Sequence, residues 1–281
     1  MSDAIVLSRL EATHLDQAYG LTQALGWPHR REDWAMALSL GQGIVALGED
    51  GRVAGTAMVT PFGETATISL VIVDAALRGR GLGRRLMREA LALCGQRAVR
   101  LVATRDGLPL YETLGFRVTH EIRQHQGALM LPEAPDAAVA WAQPGDVGTF
   151  AAMDATALGM DRATLLEWLA GHARLAVLRS PADGQVLGYG ALRAFGRGQV
   201  AGPVIAGTVA EAQAILSFLF AAAGTGQYLR VDVPAATGLA PWLDAHGLAH
   251  AGGGTAMMRG EGAPAAAGPL RVFALASQAL G

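Results

Sequence analysis

The sequence predicts a mixed α/β fold, a central sheet flanked by helices, built twice in tandem. Three observations predict it. The first half alternates extended and helical patterns in the order β-α-α-β-β-β-α-β-α-β. Short fragments of that half recur, in the same order, in the second half. Hydrophobic residues make up 51% of the 281-residue chain, enough to fill the cores of two ordinary domains.

Residues 6–10 read as a strand. Residues 14–25 and 31–40 carry apolar side chains at helical spacing and stop near Gly26 and Gly41. Residues 44–47 and 53–59 read as strands on either side of a Glu49-Asp50-Gly51 turn. Residues 65–73 form the next strand. Residues 82–93 form an amphipathic helix with Leu82, Leu86, Ala90 and Leu93 on one face. A short buried strand (99–103), a helix ended by Gly115 (108–114) and a returning strand (116–126) complete the unit. Between 131 and 145, Pro132, Pro135 and Pro144 fall among alanines and read as a linker. The expected domains are therefore 1–130 and 146–281. Residues 261–269 read as a loose Gly/Ala/Pro stretch, and the apolar segment 270–280 is expected to dock back as a final strand.

The internal comparison pairs Gly51-Arg52-Val53-Ala54-Gly55 with Gly184-Gln185-Val186-Leu187-Gly188. It also pairs Val71-Ile72 with Val204-Ile205, and the segment from Leu110 to Phe116 with the segment from Trp242 to Leu248. The competing reading is that βαβ proteins share such short fragments by chance.

Composition excludes several functions. The formal net charge is −2, from 22 basic and 24 acidic residues, with no basic footprint for nucleic acid. Every basic residue is arginine, which excludes chemistry that depends on a Walker or Schiff-base lysine. One cysteine, Cys94, excludes an intrachain disulfide and fits a reducing cytoplasm. It reads as buried packing. Met1-Ser2-Asp3-Ala4 lacks a signal pattern, and charge or glycine interrupts the apolar runs before they reach the ~18 residues that a membrane span needs. The expectation is a cytoplasmic protein without a membrane partner. His14, His29, His120 and His125 have no ligand-like spacing, so no metal is expected. Met257-Met258 reads as strand packing.

The segment from Ile68 to Leu93 carries the chemistry. A strand ends at Val73, Asp74 opens a turn, and Arg78-Gly79-Arg80-Gly81-Leu82-Gly83 leads into a helix. Glycines let backbone N–H groups approach a ligand, and a helix N-terminus adds partial positive charge; together they suit a pyrophosphate. Arg78, Arg80, Arg84, Arg85 and Arg88 place five guanidinium groups within eleven residues. The third glycine of a dinucleotide fingerprint is replaced by Arg84, and no G-x-x-x-x-G-K pattern is present.

The pattern that fits is R-G-x-G-x-G after a strand ending in Val73-Asp74. It resembles the coenzyme A loop of the GCN5-related N-acetyltransferase (GNAT) superfamily. Tyr111-Glu112-Thr113-Leu114-Gly115-Phe116 resembles that superfamily's downstream Y-x-x-x-G-F signature. The resemblance covers about residues 5–127, and the whole chain is similar to bacterial proteins that append a second, degenerate GNAT-like domain.

The resemblance implies two tandem GNAT-like domains and direct transfer of an acyl group from acetyl-CoA to an amine of a small molecule or peptide. The backbone of Val71, Ile72 and Val73 would meet the pantetheine arm, and one N–H of that strand would stabilise the oxyanion. Gly79, Arg80, Gly81, Leu82, Gly83 and Arg84, with Arg78, would hold the pyrophosphate. Tyr111 would protonate the departing thiolate; the alternative is a core tyrosine packed beside Phe116. The family's glutamate on the following strand is absent from Leu101-Val102-Ala103-Thr104-Arg105, which leaves the general base open between Glu64, Asp106 acting through water, and an acceptor that arrives neutral. In the second half Ala206-Gly207-Thr208-Val209-Ala210-Glu211 replaces the loop, and Leu243 stands where Tyr111 does. That half is expected to shape the acceptor pocket, with Tyr189, Arg193 and Asp232 as candidate contacts. Asp232 alternatively bonds nearby backbone. The alternative to an enzyme is a non-catalytic acyl-CoA-binding regulator.

Overall fold

The computed structural model describes residues 5–130, 136–261 and 268–281. Its first half runs β1 (Val6–Arg9), α1 (Leu15–Ala24), α2 (Arg31–Leu40), β2 (Gln42–Leu47), β3 (Val53–Phe62), β4 (Thr65–Val73), α3 (Leu82–Cys94), β5 (Ala98–Ala103), α4 (Leu108–Thr113) and β6 (Arg117–Ala128). The second half repeats the order: β7 (Val139–Trp141), α5 (Val147–Leu158), α6 (Ala163–His172), β8 (Arg174–Arg179), β9 (Val186–Phe195), β10 (Gly198–Ala206), α7 (Val209–Ala223), β11 (Tyr228–Pro234), α8 (Ala240–Ala245) and β12 (Ala249–Arg259). A last strand, β13 (Arg271–Ala274), has no counterpart in the first half. The recurring fragments fall at matching places. Gly51 and Gly184 turn into β3 and β9, and Gly115 and Gly247 end α4 and α8 at φ of 84° and 83°. The left-handed value is why glycine stands at both positions.

The strands form one continuous sheet in the order β1-β2-β3-β4-β5-β12-β6-β11-β10-β9-β8-β7, with β13 added against β10. The two repeats exchange their last strands. β12, from the second half, lies between β5 and β6 of the first, pairing Thr255 with Ala103 on one edge and Met258 with Arg117 on the other. β6 in turn pairs with β11 from Tyr228–Ala128 to Pro234–Ile122. The linker expected over 131–145 is shorter than its composition suggested. Val139–Trp141 already pairs with β8, because Val139 is buried under α7, while 131–135 lie outside the described residues. The apolar tail docks as expected, through β13.

Each face of the sheet is covered twice. α3 packs Leu82, Leu86, Met87 and Ala90 over β3–β5, and α7 packs Ile215, Leu216 and Leu219 over β8–β11. On the opposite face α1 and α2 close a core around Leu10, Trp34 and Leu70. α5 and α6 close another that also takes in Met36 and Phe62 from the first half. These shared side chains and exchanged strands bury apolar surface between the repeats, so the repeats are held together by core as well as by backbone ladders.

Candidate active site

β4 and β5 are parallel neighbours for only three residue pairs, Thr65–Ala98 to Thr67–Arg100. Beyond them the strands part. β4 continues to Val73 on its β3 side, so the backbone of residues 69–73 that faces β5 has no strand partner there. A bulge opposite Ala57 marks the parting, and Leu70 in it has φ 49°, the one non-glycine residue with positive φ among those described. A bulky residue in that region is strained, and bulges commonly re-aim backbone groups beside active sites. Thr56 Oγ1 donates to the Leu70 carbonyl at 2.8 Å and holds the bulge in place.

The loop after β4 is equally open. Asp74 accepts from the Ala76 N–H at 2.9 Å, as a turn residue does. Gly79 and Gly81 adopt φ of 75° and 81°, with nothing within 4 Å of where a Cβ would sit. Gly81 caps α3 without a side-chain hydrogen bond, and the first turn holds no acid. The α3 N–H groups thus point into free space, flanked by exposed Arg78, Arg80 and Arg84. Leu82 is buried and can offer only backbone. Two neighbours are partly engaged: Arg78 Nε donates to the Val73 carbonyl at 3.3 Å, and Arg84 Nη2 donates to Thr113 Oγ1 at 3.2 Å. This cradle fits a polyanion, and the open strand edge fits an extended chain with amide groups.

Tyr111 lies on α4, on the α3 side of the sheet, edge-on to Phe116 with ring centroids 6.0 Å apart. Gly107 lets the ring approach: a Cβ there would lie 2.9 Å from Tyr111 Cε2. Burial pushes the phenol pKa up to about 12. Glu64 sits at the far end of β4, in the β3–β4 turn, where its carbonyl accepts from Ala98; it is remote from the parted strands. Burial likewise raises the Cys94 thiol to about 11, as suits a packing residue.

The same places in the second half are filled by the chain itself. Glu211 accepts from the N–H groups of Gly207 and Thr208 at 2.8 and 2.9 Å, and Thr208 Oγ1 accepts from Glu211 N. The N-terminus of α7 is therefore self-capped by a carboxylate. β10 pairs with β11 only over Gln199–Leu229 and Val200–Arg230. Its remaining length is covered by β13, through Val204–Ala274, Ile205–Val272 and Ala206–Arg271. The Leu275 N–H continues to the Asp232 carbonyl at 2.8 Å, so the tail bridges β10 and β11. Leu243, the counterpart of Tyr111, is fully buried in the α7 core.

The three acceptor contacts expected from the second half are structural. Tyr189 is fully buried, stacked on Phe150, and its hydroxyl donates to Asp154 Oδ1 at 2.6 Å within an Asp154–Arg162 ion pair. Arg193 is committed to Asp33 at 3.2 Å and to the Ala276 carbonyl at 3.3 Å, tying the halves together. Asp232 takes Arg230 in a two-bond pair at 2.8 and 3.0 Å and Gln278 at 2.9 Å. All three are buried, and each is bonded to a charged partner; Arg193 Nε alone is left without a hydrogen bond, and it is itself buried. Gln278 does reach open space. It lines a cavity of about 860 Å³ between the halves, whose walls also include Thr67, Arg100, Val102 and Ile122. Composition gave no signal for this cavity, since it forms only once β12 and the tail are in place.

Comparison with known proteins agrees with this geometry. Residues 11–116 match the family described as Acetyltransferase (GNAT) family, and residues 150–270 match the one described as Acetyltransferase (GNAT) domain. The chain is 30% identical over 232 residues to the uncharacterized N-acetyltransferase YitH of Bacillus subtilis, covering 81% of this chain and 82% of that one. The chain belongs to the GNAT acetyltransferase family. Another relative, the holothin acyltransferase of a Pseudoalteromonas species, is 27% identical over 66% of this chain and 63% of its own length. Among solved structures, a Pyrococcus horikoshii protein superposes on 99% of this chain and 96% of its own with a TM-score of 0.81 at 20% identity. A Sphaerobacter thermophilus GCN5-related N-acetyltransferase covers 91% and 95% with a TM-score of 0.65 at 18% identity. The likeness thus extends over the whole chain and not over one half alone. The described residues hold no cluster able to bind a metal and no helix long and apolar enough to cross a membrane.

Proposed function

We propose that this GNAT protein is an acetyl-CoA-dependent N-acetyltransferase with one cofactor site, in the first half, and an amine acceptor drawn from small molecules or peptides. The observation that carries the reading is the contrast between the repeats. The same unit occurs twice: one copy has an open strand edge and an uncapped helix N-terminus, and the other closes both with β13 and Glu211.

Acetyl-CoA supplies an activated acyl thioester when bound. Gly79 to Arg84, with Arg78, hold its pyrophosphate through backbone N–H groups and guanidinium charge. The unpaired edge of Val71 to Val73 receives the pantetheine amides. A backbone N–H at the Leu70 bulge would stabilise negative charge on the thioester oxygen as it develops. The amine arrives neutral and forms its bond to the acyl carbon as the carbon–sulfur bond breaks; the nitrogen then releases its extra proton to water. Tyr111 gives its proton to the sulfur, a role open to a phenol because it is protonated at neutral pH. Tyr111 lies on the α3 face and the cavity on the opposite face, so the thiol and the amine meet the acyl carbon from the two sides of the gap between β4 and β5.

Thiol release from acetyl-CoA over an amine panel tests this. Turnover with at least one amine, reduced tenfold or more by Tyr111→Phe with acetyl-CoA affinity retained, is the expected result. Tight acetyl-CoA binding without turnover on any amine, unchanged by Tyr111→Phe, would instead establish a non-catalytic regulator.

A further inference from the structure

The wall of the cavity between the halves holds a half-buried guanidinium with no counter-charge; the wall's other arginine, Arg271, is exposed to solvent. Seven arginines are buried or half-buried. Six of them pair with a carboxylate: Arg30 and Arg193 with Asp33, Arg123 with Glu121, Arg162 with Asp154, Arg179 with Asp146 and Arg230 with Asp232. The seventh, Arg100, has none among the described residues. Its Nη1 meets Met160 Sδ at 3.0 Å and its Nη2 donates to the Leu158 carbonyl at 2.9 Å. Burial, and then the charge of Arg162, lower its pKa from the usual value. A guanidinium in this setting is short of an anion.

Its neighbour is equally unsatisfied. Thr67, the register partner of Arg100 across β4 and β5, is 3% exposed, and its hydroxyl has no hydrogen-bond partner. Both side chains line the cavity. The remaining wall is mainly apolar, with Val102, Ile122, Leu158, Met160 and Leu275 prominent. About 860 Å³ falls within the range of small-molecule sites. Thr67 and Arg100 form the last pair before β4 and β5 part, and the open edge begins at Ser69, two residues and about 7 Å further along the strand.

We propose that this cavity is the acceptor site and that it selects an amine carried on an apolar, amino-acid-like body whose carboxylate binds Arg100 with help from Thr67. The assignment of the ligand as acceptor rests on the acetyltransferase reading; the carboxylate site itself does not. A carboxylate meets the guanidinium in a charge-assisted pair, the apolar body is desolvated by the walls, and the amine is left on the side of the parted strands.

Four probes decide it on the intact protein with saturating coenzyme A: 3-phenylpropionate, L-phenylalanine, L-phenylalaninamide and phenethylamine. Binding is read calorimetrically and as a rise in Tm. The two acids are expected to bind at least tenfold more tightly than the amide and the amine. Arg100→Met should abolish that preference, Thr67→Val should weaken it, and Arg100→Lys should retain part of it. If Arg100→Met does not fold, the acid-against-amide comparison on the unaltered protein and Arg100→Lys still gives the answer. Equal binding of the acids and the probes that lack a carboxylate, no binding of either acid at millimolar concentration, or an acid preference that survives Arg100→Met overturns the proposal. Acid-selective binding without thiol release would uphold the site while removing the acetyltransferase reading. Thiol release from amines with no acid preference would do the reverse.

Discussion

The hydroxyl of Tyr111 makes no hydrogen bond to any described residue, and its ring is fixed by Phe116 and by the close approach of Gly107. Removing the oxygen therefore leaves packing unchanged and deletes only the proton. Tyr111→Phe is expected to lower kcat at least tenfold, about 1.4 kcal/mol or more of barrier, with acetyl-CoA affinity within twofold of the parent; steady-state kinetics beside calorimetric titration check both. The raised phenol pKa also has a stability consequence. Between the ordinary value of 10 and the folded value of about 12 the unfolded chain loses this proton first, so stability is intact below pH 10 and falls as pH rises through that window. Acid has the opposite partner in His29, whose pKa is lowered to about 4, chiefly by burial. The unfolded chain takes up that proton between pH 6.5 and 4, so stability falls as pH drops across this range. His29→Gln should flatten the acid limb of a urea-midpoint-against-pH profile. At this scale local spacing was enough to place Tyr111 on a short helix and the Arg78–Gly83 run at the entry to α3. It misled for Tyr189 and Arg193, whose partners Asp154 and Asp33 lie 35 and 160 residues away. It was silent on Arg100, because a missing counter-ion is visible only in three dimensions.

Elements were the most legible level. Apolar periodicity placed α1, α2, α3 and the strands from β1 to β6 within a few residues, because each buries one regular face. The start of the second half was misplaced, because three prolines outweighed a three-residue strand. Two element ends carry the functional contrast. At α3 the cap is a glycine with free N–H groups; at α7 it is a Thr208–Glu211 capping box. Glu211→Ala should therefore destabilise the protein by about 1 kcal/mol in denaturant unfolding, the usual worth of a cap, without creating a second acetyl-CoA site while β13 still covers β10. The buried Asp154–Arg162 pair locks α5 to α6 and to the carbonyls of Leu280 and Gly281. Asp154→Ala leaves a guanidinium without its counter-charge and is expected to cost about 3–5 kcal/mol by the same assay.

On the scale of the whole molecule, duplication was legible in the recurring fragments, but the strand exchange was not. A strand's own pattern specifies which face is buried, not which neighbour it meets, and β6 and β12 look alike from either side. The exchange makes the halves interdependent: β12 sits between β5 and β6, and the tail that covers β10 also lines the cavity beside β5. A chain cut between residues 131 and 135 should consequently run as a single particle in native size-exclusion chromatography, and separation of the fragments would refute the exchange. The same architecture explains why one site is expected rather than two, since the second copy's open edge and helix N-terminus are both occupied by its own residues. Titration calorimetry with acetyl-CoA on the parent protein and on Gly81→Glu tests this most directly. The account predicts one site per chain, lost in Gly81→Glu, where a carboxylate enters the cradle; two sites per chain, or binding unaltered by Gly81→Glu, would contradict it.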